Sequence, residues 1–260
     1  MDNVNKTLYI PLYGKAYVSR RGIILEDRKA EEIWAAEAFP LRGKAASKWL
    51  AYYMGMRSAV FDRWVRKALA ERPEAAVLHL GCGMDSRVLR VQAEKTCWYD
   101  VDFPAVIAER KRYYSESESY RMIAADLRTD RWLEEIAQKE AVVILEGVSM
   151  YLSLEELKTL LQNLTGKFCR CAVLMDVYTA FAARASQYKN PINEVGVTRV
   201  YGLDDPLALT EDTKLSFVCE HRMTPEDLIG QLGRWEQMLF RRLYAGKMAD
   251  RLYRLYEYEA

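Results

Sequence analysis

Between Pro73 and Tyr178, five short apolar runs alternate with stretches of helical periodicity, and this alternation limits the fold more than any other feature of the chain. AAVLHLG, TCWYDVD, YRMIAAD, AVVILEG and CAVLMDVY read as strands. Between them lie a predicted helix near residues 86–93 and three more in PAVIAERKRYYS, DRWLEEIAQK and SLEELKTLLQNL. Pro104 sits in a first turn, where its missing N–H costs nothing. Ser153, with Glu156 three residues on, forms a capping box. Such an alternation implies a parallel sheet with helices on both faces and right-handed crossovers. A ligand then belongs at the carboxyl ends of the strands, near the point where the strand order reverses.

The flanks differ from this core. Residues 1–72 are rich in charges and aromatics, and EDRKAEEIWAAEAF and SKWLAYYMGMRSAVFDRWVRKALAER carry apolar residues at helical spacing. One domain over 1–260 is therefore expected: a helical region over 1–72, a ligand-binding core over 73–178, a lid over 179–222, and completion of the sheet over 223–260. TPEDLIGQL is predicted to be a helix capped by Thr224 with Pro225 in its first turn, and the closing WEQMLFRRLYAGKMADRLYRLYEYEA a strand followed by a helix. A formal net charge of +1 gives no electrostatic case for nucleic acid or membrane as partner. No apolar run approaches the roughly 20 residues of a span, and the start lacks the layout of a secretory signal. A cytoplasmic location is expected. The five cysteines contain no CxxC pair, so neither a disulfide framework nor a metal site is expected.

Gly81 and Gly83 follow the first strand directly, where a side chain would keep a ligand away from the backbone. A dinucleotide fingerprint would place a third glycine where Ser86 stands. Asp102 ends the second strand, 21 residues past Gly81 (102 − 81), and a carboxylate there can accept both hydroxyls of a ribose. Its neighbour Asp100 is expected to be a solvated strand-end acid. Asp126 after the third strand can accept from an adenine amino group, with Leu127 packing on the ring. Glu146 ends the fourth strand. Acids at three successive strand ends make a negative wall, poor company for a pyrophosphate and good company for a sulfonium cation with a free amine.

LHLGCGMDSR, YDVDFPAVIAERK, AADLR and LEGVSMYLSLEELKTLL resemble the leucine carboxyl methyltransferase family, including its bacterial tetracenomycin-type O-methyltransferase branch. Upstream, TLYIPLYGKAYVSRRG and YYMGMRSAVFDRWV resemble the family's N-terminal helical region. The likeness covers residues 7 to about 165. It implies a Rossmann-like class I methyltransferase: a mostly parallel seven-stranded α/β sheet whose last strand inserts antiparallel. It also implies S-adenosylmethionine as cofactor, with S-adenosylhomocysteine as product. By residue, Lys15 and Arg57 would pair with the donor's carboxylate, Gly81 and Gly83 would lie against its methionine part, and Asp102 would take the ribose. Asp126 and Leu127 would frame the adenine, and Glu146 would lie by the methionine moiety.

Tyr151 is the candidate contact for a small-molecule acceptor, and Arg184 and Arg199 are candidate cations for an acceptor carboxylate. Cys82 reads as packing, and so does His79, two residues before the turn. His221 reads as a surface histidine. So few bases favour a carboxylate acceptor, which needs none, or a phenol assisted by tyrosine or Glu146. A nicotinamide-dependent oxidoreductase and a non-catalytic module on a cofactor fold stay open as alternatives. Protein C-terminal carboxyl methylation would further require a pocket for a peptide end.

Overall fold

A computed structural model describes residues 8–37, 39–41, 43–91, 96–186, 200–246, 249 and 251–260. The apolar runs become β1 (Ala76–Leu80), β2 (Trp98–Asp102), β3 (Tyr120–Ala124), β4 (Glu140–Leu145) and β5 (Arg170–Tyr178). Two further strands, β6 (Ser216–Glu220) and β7 (Tyr253–Glu259), complete a seven-stranded sheet in the order β3-β2-β1-β4-β5-β7-β6. β1 to β5 are mutually parallel, whereas β7 runs antiparallel to both β5 and β6. The order reverses at β1, flanked by β2 on one side and β4 on the other, so a crevice opens at their carboxyl ends.

The helices are α1 (Tyr9–Arg20), α2 (Arg28–Glu37), α3 (Lys48–Glu71), α4 (Arg87–Val91), α5 (Pro104–Arg110), α6 (Leu154–Lys167), α7 (Ala180–Ser186), α8 (Glu226–Ile229) and α9 (Arg234–Tyr244). Side chains alternate across the strands and feed two cores. Val77, Val142, Ile144 and Leu174 pack on one face with Tyr52, Phe61 and Val65 of α3. Leu78, Val143, Leu145 and Val173 pack on the other with Leu157, Leu161 and Leu164 of α6. Ser47 caps α3 by accepting from Leu50 N–H, and both halves of the Ser153–Glu156 capping box on α6 are made. Among the described residues no helix is long and apolar enough to cross a membrane.

Four local expectations need correction. DRWLEEIAQK forms only a 3-10 turn over Arg131–Glu135, because Trp132, Leu133 and Ile136 seat it in the core within little more than one turn. α8 starts at Glu226 with Pro225, in extended conformation, at the cap position, so Thr224 does not cap it. The closing segment is helix then strand, the reverse of the expected order: α9 precedes β7, in which Leu255, Tyr256, Glu257 and Tyr258 are all buried. β6 falls inside the stretch expected to be a lid, so the sheet resumes at Ser216 rather than at residue 223.

Candidate active site

The turn after β1 is shaped by its glycines. Gly81 and Gly83 take φ of +65° and +51°, in the left-handed region that favours glycine. A Cβ on Gly81 would fall 2.2 Å from Val148 Cγ2, so the loop after β4 also forbids a side chain there. Beside this turn lies a cavity of about 350 Å³, within the range of small-molecule sites. Lys15, Arg57, Gly81, Gly83, Asp102, Asp126, Leu127, Glu146 and Tyr151 all line it. α1, α3 and four strand ends thus converge on one space.

Asp102 accepts from Gly83 N–H (2.8 Å) on one carboxylate oxygen and from Phe103 N–H (2.7 Å) on the other. Each oxygen keeps a lone pair for a further donor. Burial pushes this carboxyl up, and the two N–H bonds offset the effect only in part. Asp126, partly exposed, is held by a bidentate Arg128 through Nε at 2.9 and 3.0 Å, which lowers its carboxyl pKa. Glu146 pairs with Arg57 Nε at 3.1 Å and with Arg87. Burial alone would raise Glu146, but Arg87 and Arg57 more than reverse it. The expected negative wall is therefore corrected: two of its three acids carry arginine partners, and the third is held by backbone N–H groups.

A buried ionic floor lies beneath. Lys15 Nζ is 2.9 Å from Asp85, and Arg57 Nη1 is 2.8 Å from Asp176. Arg87, fully buried, bonds Asp62 (2.6 Å), Ser58 Oγ (2.9 Å) and Glu146. Desolvation opposes the charge on Asp85, yet Arg87, Arg90 and Lys15 hold its carboxyl well below the ordinary range. Asp176 goes the other way: burial raises it, and Arg57 and Gly147 N–H compensate incompletely. The sequence alone gives Asp85, Arg87 and Asp176 no role. Their signal was charge in apolar company: Asp176 interrupts CAVLMDVY, and Asp85 and Arg87 follow the glycine turn directly.

Asp100 is fully buried rather than solvated, bonded to Arg110 and to Tyr120 OH (2.5 Å). Its carboxyl is lowered because Arg110, His79 and Tyr120 overcome the cost of burial. His79 lies inside as a core residue, its Nε2 3.3 Å from Arg87 and its Nδ1 3.4 Å from Asp100 without a hydrogen bond. Burial pushes the Cys82 thiol well up, which suits packing rather than nucleophilic attack. Arg184 stands on the exposed side of α7 and does not line the cavity, contrary to its expected role. Arg199 lies outside the described residues. Tyr253, Met54 and Ile10 also line the cavity and were not foreseen, since β7 and the entry into α1 reach it only through the tertiary fold.

A seven-stranded sheet of this order, with β7 antiparallel and a cavity at the switch point, is the class I methyltransferase fold. A family model described as leucine carboxyl methyltransferase matches residues 6–165, and the chain belongs to that family. It is 32% identical over 213 residues to the tetracenomycin polyketide synthesis O-methyltransferase TcmP of Streptomyces glaucescens, covering 80% of this chain and 78% of that protein. It is 28% identical to the S-adenosyl-L-methionine-dependent methyltransferase dpfgK of Gibberella zeae, over 64% of this chain and 61% of the relative. The fold matches magnesium protoporphyrin IX methyltransferase (ChlM) from Synechocystis, solved with bound SAH, at a TM-score of 0.53 and 11% identity over 88% and 92% of the two chains. The chain is an S-adenosylmethionine-dependent methyltransferase, which sets aside the nicotinamide alternative.

Proposed function

We propose that this enzyme transfers a methyl group from S-adenosylmethionine to an oxygen atom of a small acceptor. The observation that carries the reading is the convergence of nine residues, separated by up to 136 positions (151 − 15), on one cavity at the switch point. Asp102, with a free lone pair on each oxygen, would accept from the ribose hydroxyls. Leu127 would cover the adenine ring, with Asp126 at its edge. Lys15 and Arg57 would lie nearest the donor carboxylate, each already steadied by a buried acid. Gly81 and Gly83 would bring bare backbone against the methionine part, beside Glu146. When bound, the cofactor supplies a methyl group already activated by its sulfonium sulfur.

What the chain must add is alignment and exclusion of water, an effect of roughly 7–11 kcal/mol when the reacting atoms are well placed. Ile10, Pro11, Met54, Val148 and Met150 give the cavity an apolar wall suited to that task. Tyr151 stands on the same wall, as the acceptor contact. The Tyr253 hydroxyl on that wall makes a poor base. Burial pushes the Tyr253 hydroxyl far up, reinforced by Tyr178, to which it donates at 2.8 Å. The His79 ring is buried, with Nε2 3.3 Å from the Arg87 guanidinium. This supports an acceptor that ionises without help, such as a carboxylate or an acidic phenol.

Calorimetry with S-adenosylmethionine and S-adenosylhomocysteine tests the assignment. Asp102→Ala removes hydrogen bonds worth about 1.5–3 kcal/mol each to a charged group, so both ligands should bind at least about tenfold more weakly. Asp102→Asn, which keeps one acceptor oxygen, should fall between. Unchanged affinity in both variants would place the nucleoside elsewhere.

A further inference from the structure

At the far edge of the sheet, the geometry points to a zinc site formed by Cys219, His221 and Glu257 and joining β6 to β7. Cys219 and Glu257 are register partners on neighbouring strands, and His221 lies two residues on from Cys219, so all three side chains share one face. Cys219 Sγ is 3.4 Å from His221 Nε2 and 3.4 Å from Glu257 Oε2, and Nε2 is 2.5 Å from that same Oε2. None of the three lines the methyl-transfer cavity.

The arrangement differs from a nucleophile–base relay. A relay uses both ring nitrogens, one toward the thiol and one toward the carboxylate. Here thiol and carboxylate both face Nε2, and the thiol also donates to Glu257 Oε2, so three potential ligand atoms surround a common centre. Zinc bonds of about 2.3 Å to sulfur and about 2.0 Å to nitrogen or oxygen, at tetrahedral angles, put S–N and S–O edges near 3.5 Å and the N–O edge near 3.3 Å. Two of the observed edges already match, and the third needs only the ion-paired His221 and Glu257 to part around the metal.

The surroundings agree with this assignment. Trp64 Nε1 donates to Glu257 Oε1 at 2.8 Å, which turns Oε2 toward His221 and Cys219, as an outer-shell partner orients a ligand. The His221 side chain is 29% exposed, so the fourth tetrahedral position falls to water. Thiolate, imidazole and carboxylate together suit zinc rather than the oxygen-seeking calcium or magnesium. On binding, the Cys219 S–H proton is released to solvent and an S–Zn bond takes its place, with no change in oxidation state. The site would clip the sheet's edge strand to its neighbour.

The test uses the full chain after dialysis against a chelator. Calorimetric titration with ZnCl2 should show one ion bound per chain, and Co2+ should give a thiolate-to-metal charge-transfer band. Cys219→Ser should abolish the band, and His221→Gln should weaken zinc binding at least tenfold. Trp64→Phe, which leaves all three ligands in place, should weaken it about 10–100-fold as an outer-shell loss. The Cys219→Ser/His221→Gln double variant keeps the other four cysteines and so controls for adventitious binding. Absence of the cobalt band in the unmodified chain, or equal zinc affinity in the double variant, would overturn the assignment.

Discussion

Gly81 and Gly83 look alike in the sequence, yet the fold asks different things of them. Both have positive φ, which costs a residue with a side chain about 1–2 kcal/mol. Only Gly81 also lacks space, with Val148 Cγ2 2.2 Å from its Cβ position; the nearest atom to a Cβ on Gly83 is Leu8 Cβ at 3.4 Å. Overpacking adds about 1–3 kcal/mol at such a site. Gly81→Ala should therefore destabilise the chain by about 2–5 kcal/mol in urea unfolding and Gly83→Ala by about 1–2 kcal/mol. Equal losses would show that Val148 can move away at little cost. At this scale the sequence was legible wherever a residue type has few uses: paired glycines after a strand, an acid at a strand end. It was opaque for Asp176, whose partner Arg57 lies 119 residues earlier, and for Asp100, whose burial depends on an arginine from the next helix.

Elements were readable where local signals and tertiary burial agree. The Ser153–Glu156 box is written in four consecutive residues, and α6 begins there. Ser153→Ala removes the acceptor for Glu156 N–H and should cost about 1 kcal/mol. For a chain of this size that is a fall of about 2–4 °C in Tm, read by thermal unfolding, whereas Ser153→Asp, also a good cap, should keep the wild-type value. The closing segment misled because its two signals conflict with burial. α9 carries Trp235, Met238, Leu239 and Leu243 at helical spacing but leaves them exposed, so its apolar face does not mark the core. β7 reads as mixed and charged, yet Glu257 is buried because Trp64 and His221 both hydrogen-bond its carboxylate. Strand content there follows from pairing with β5 and β6 and from Trp64 on α3, which no local window contains.

Across the whole molecule, one buried charge network joins pieces that the sheet alone would leave independent. Asp27, which caps α2 by accepting from Ala30 N–H, meets Arg90 of α4 at 2.6 Å. Arg90 and Arg87 share Asp62 of α3, and Arg87 reaches Glu146 at the end of β4. The N-terminal helices are thus bound to the cavity floor by charge as well as by apolar packing. Arg87→Met keeps bulk but removes the central cation, leaving buried acids undercompensated, and should cost about 3–5 kcal/mol at pH 7. The pH dependence distinguishes this cause from lost packing. In the native chain Asp62, Asp85 and Glu146 are all lowered, each against the cost of burial and in part by Arg87. Lowered carboxyls contribute stability that is present above their unfolded values of about 4 and is lost as pH falls through the folded ones. Without Arg87 those acids take up protons more readily, so the variant forfeits this contribution at neutral pH and regains ground on acidification. Its deficit in urea should therefore shrink between pH 7 and about pH 4.5. A deficit that stays constant over that range would mean that Arg87 supports the floor through its packing and not through its charge.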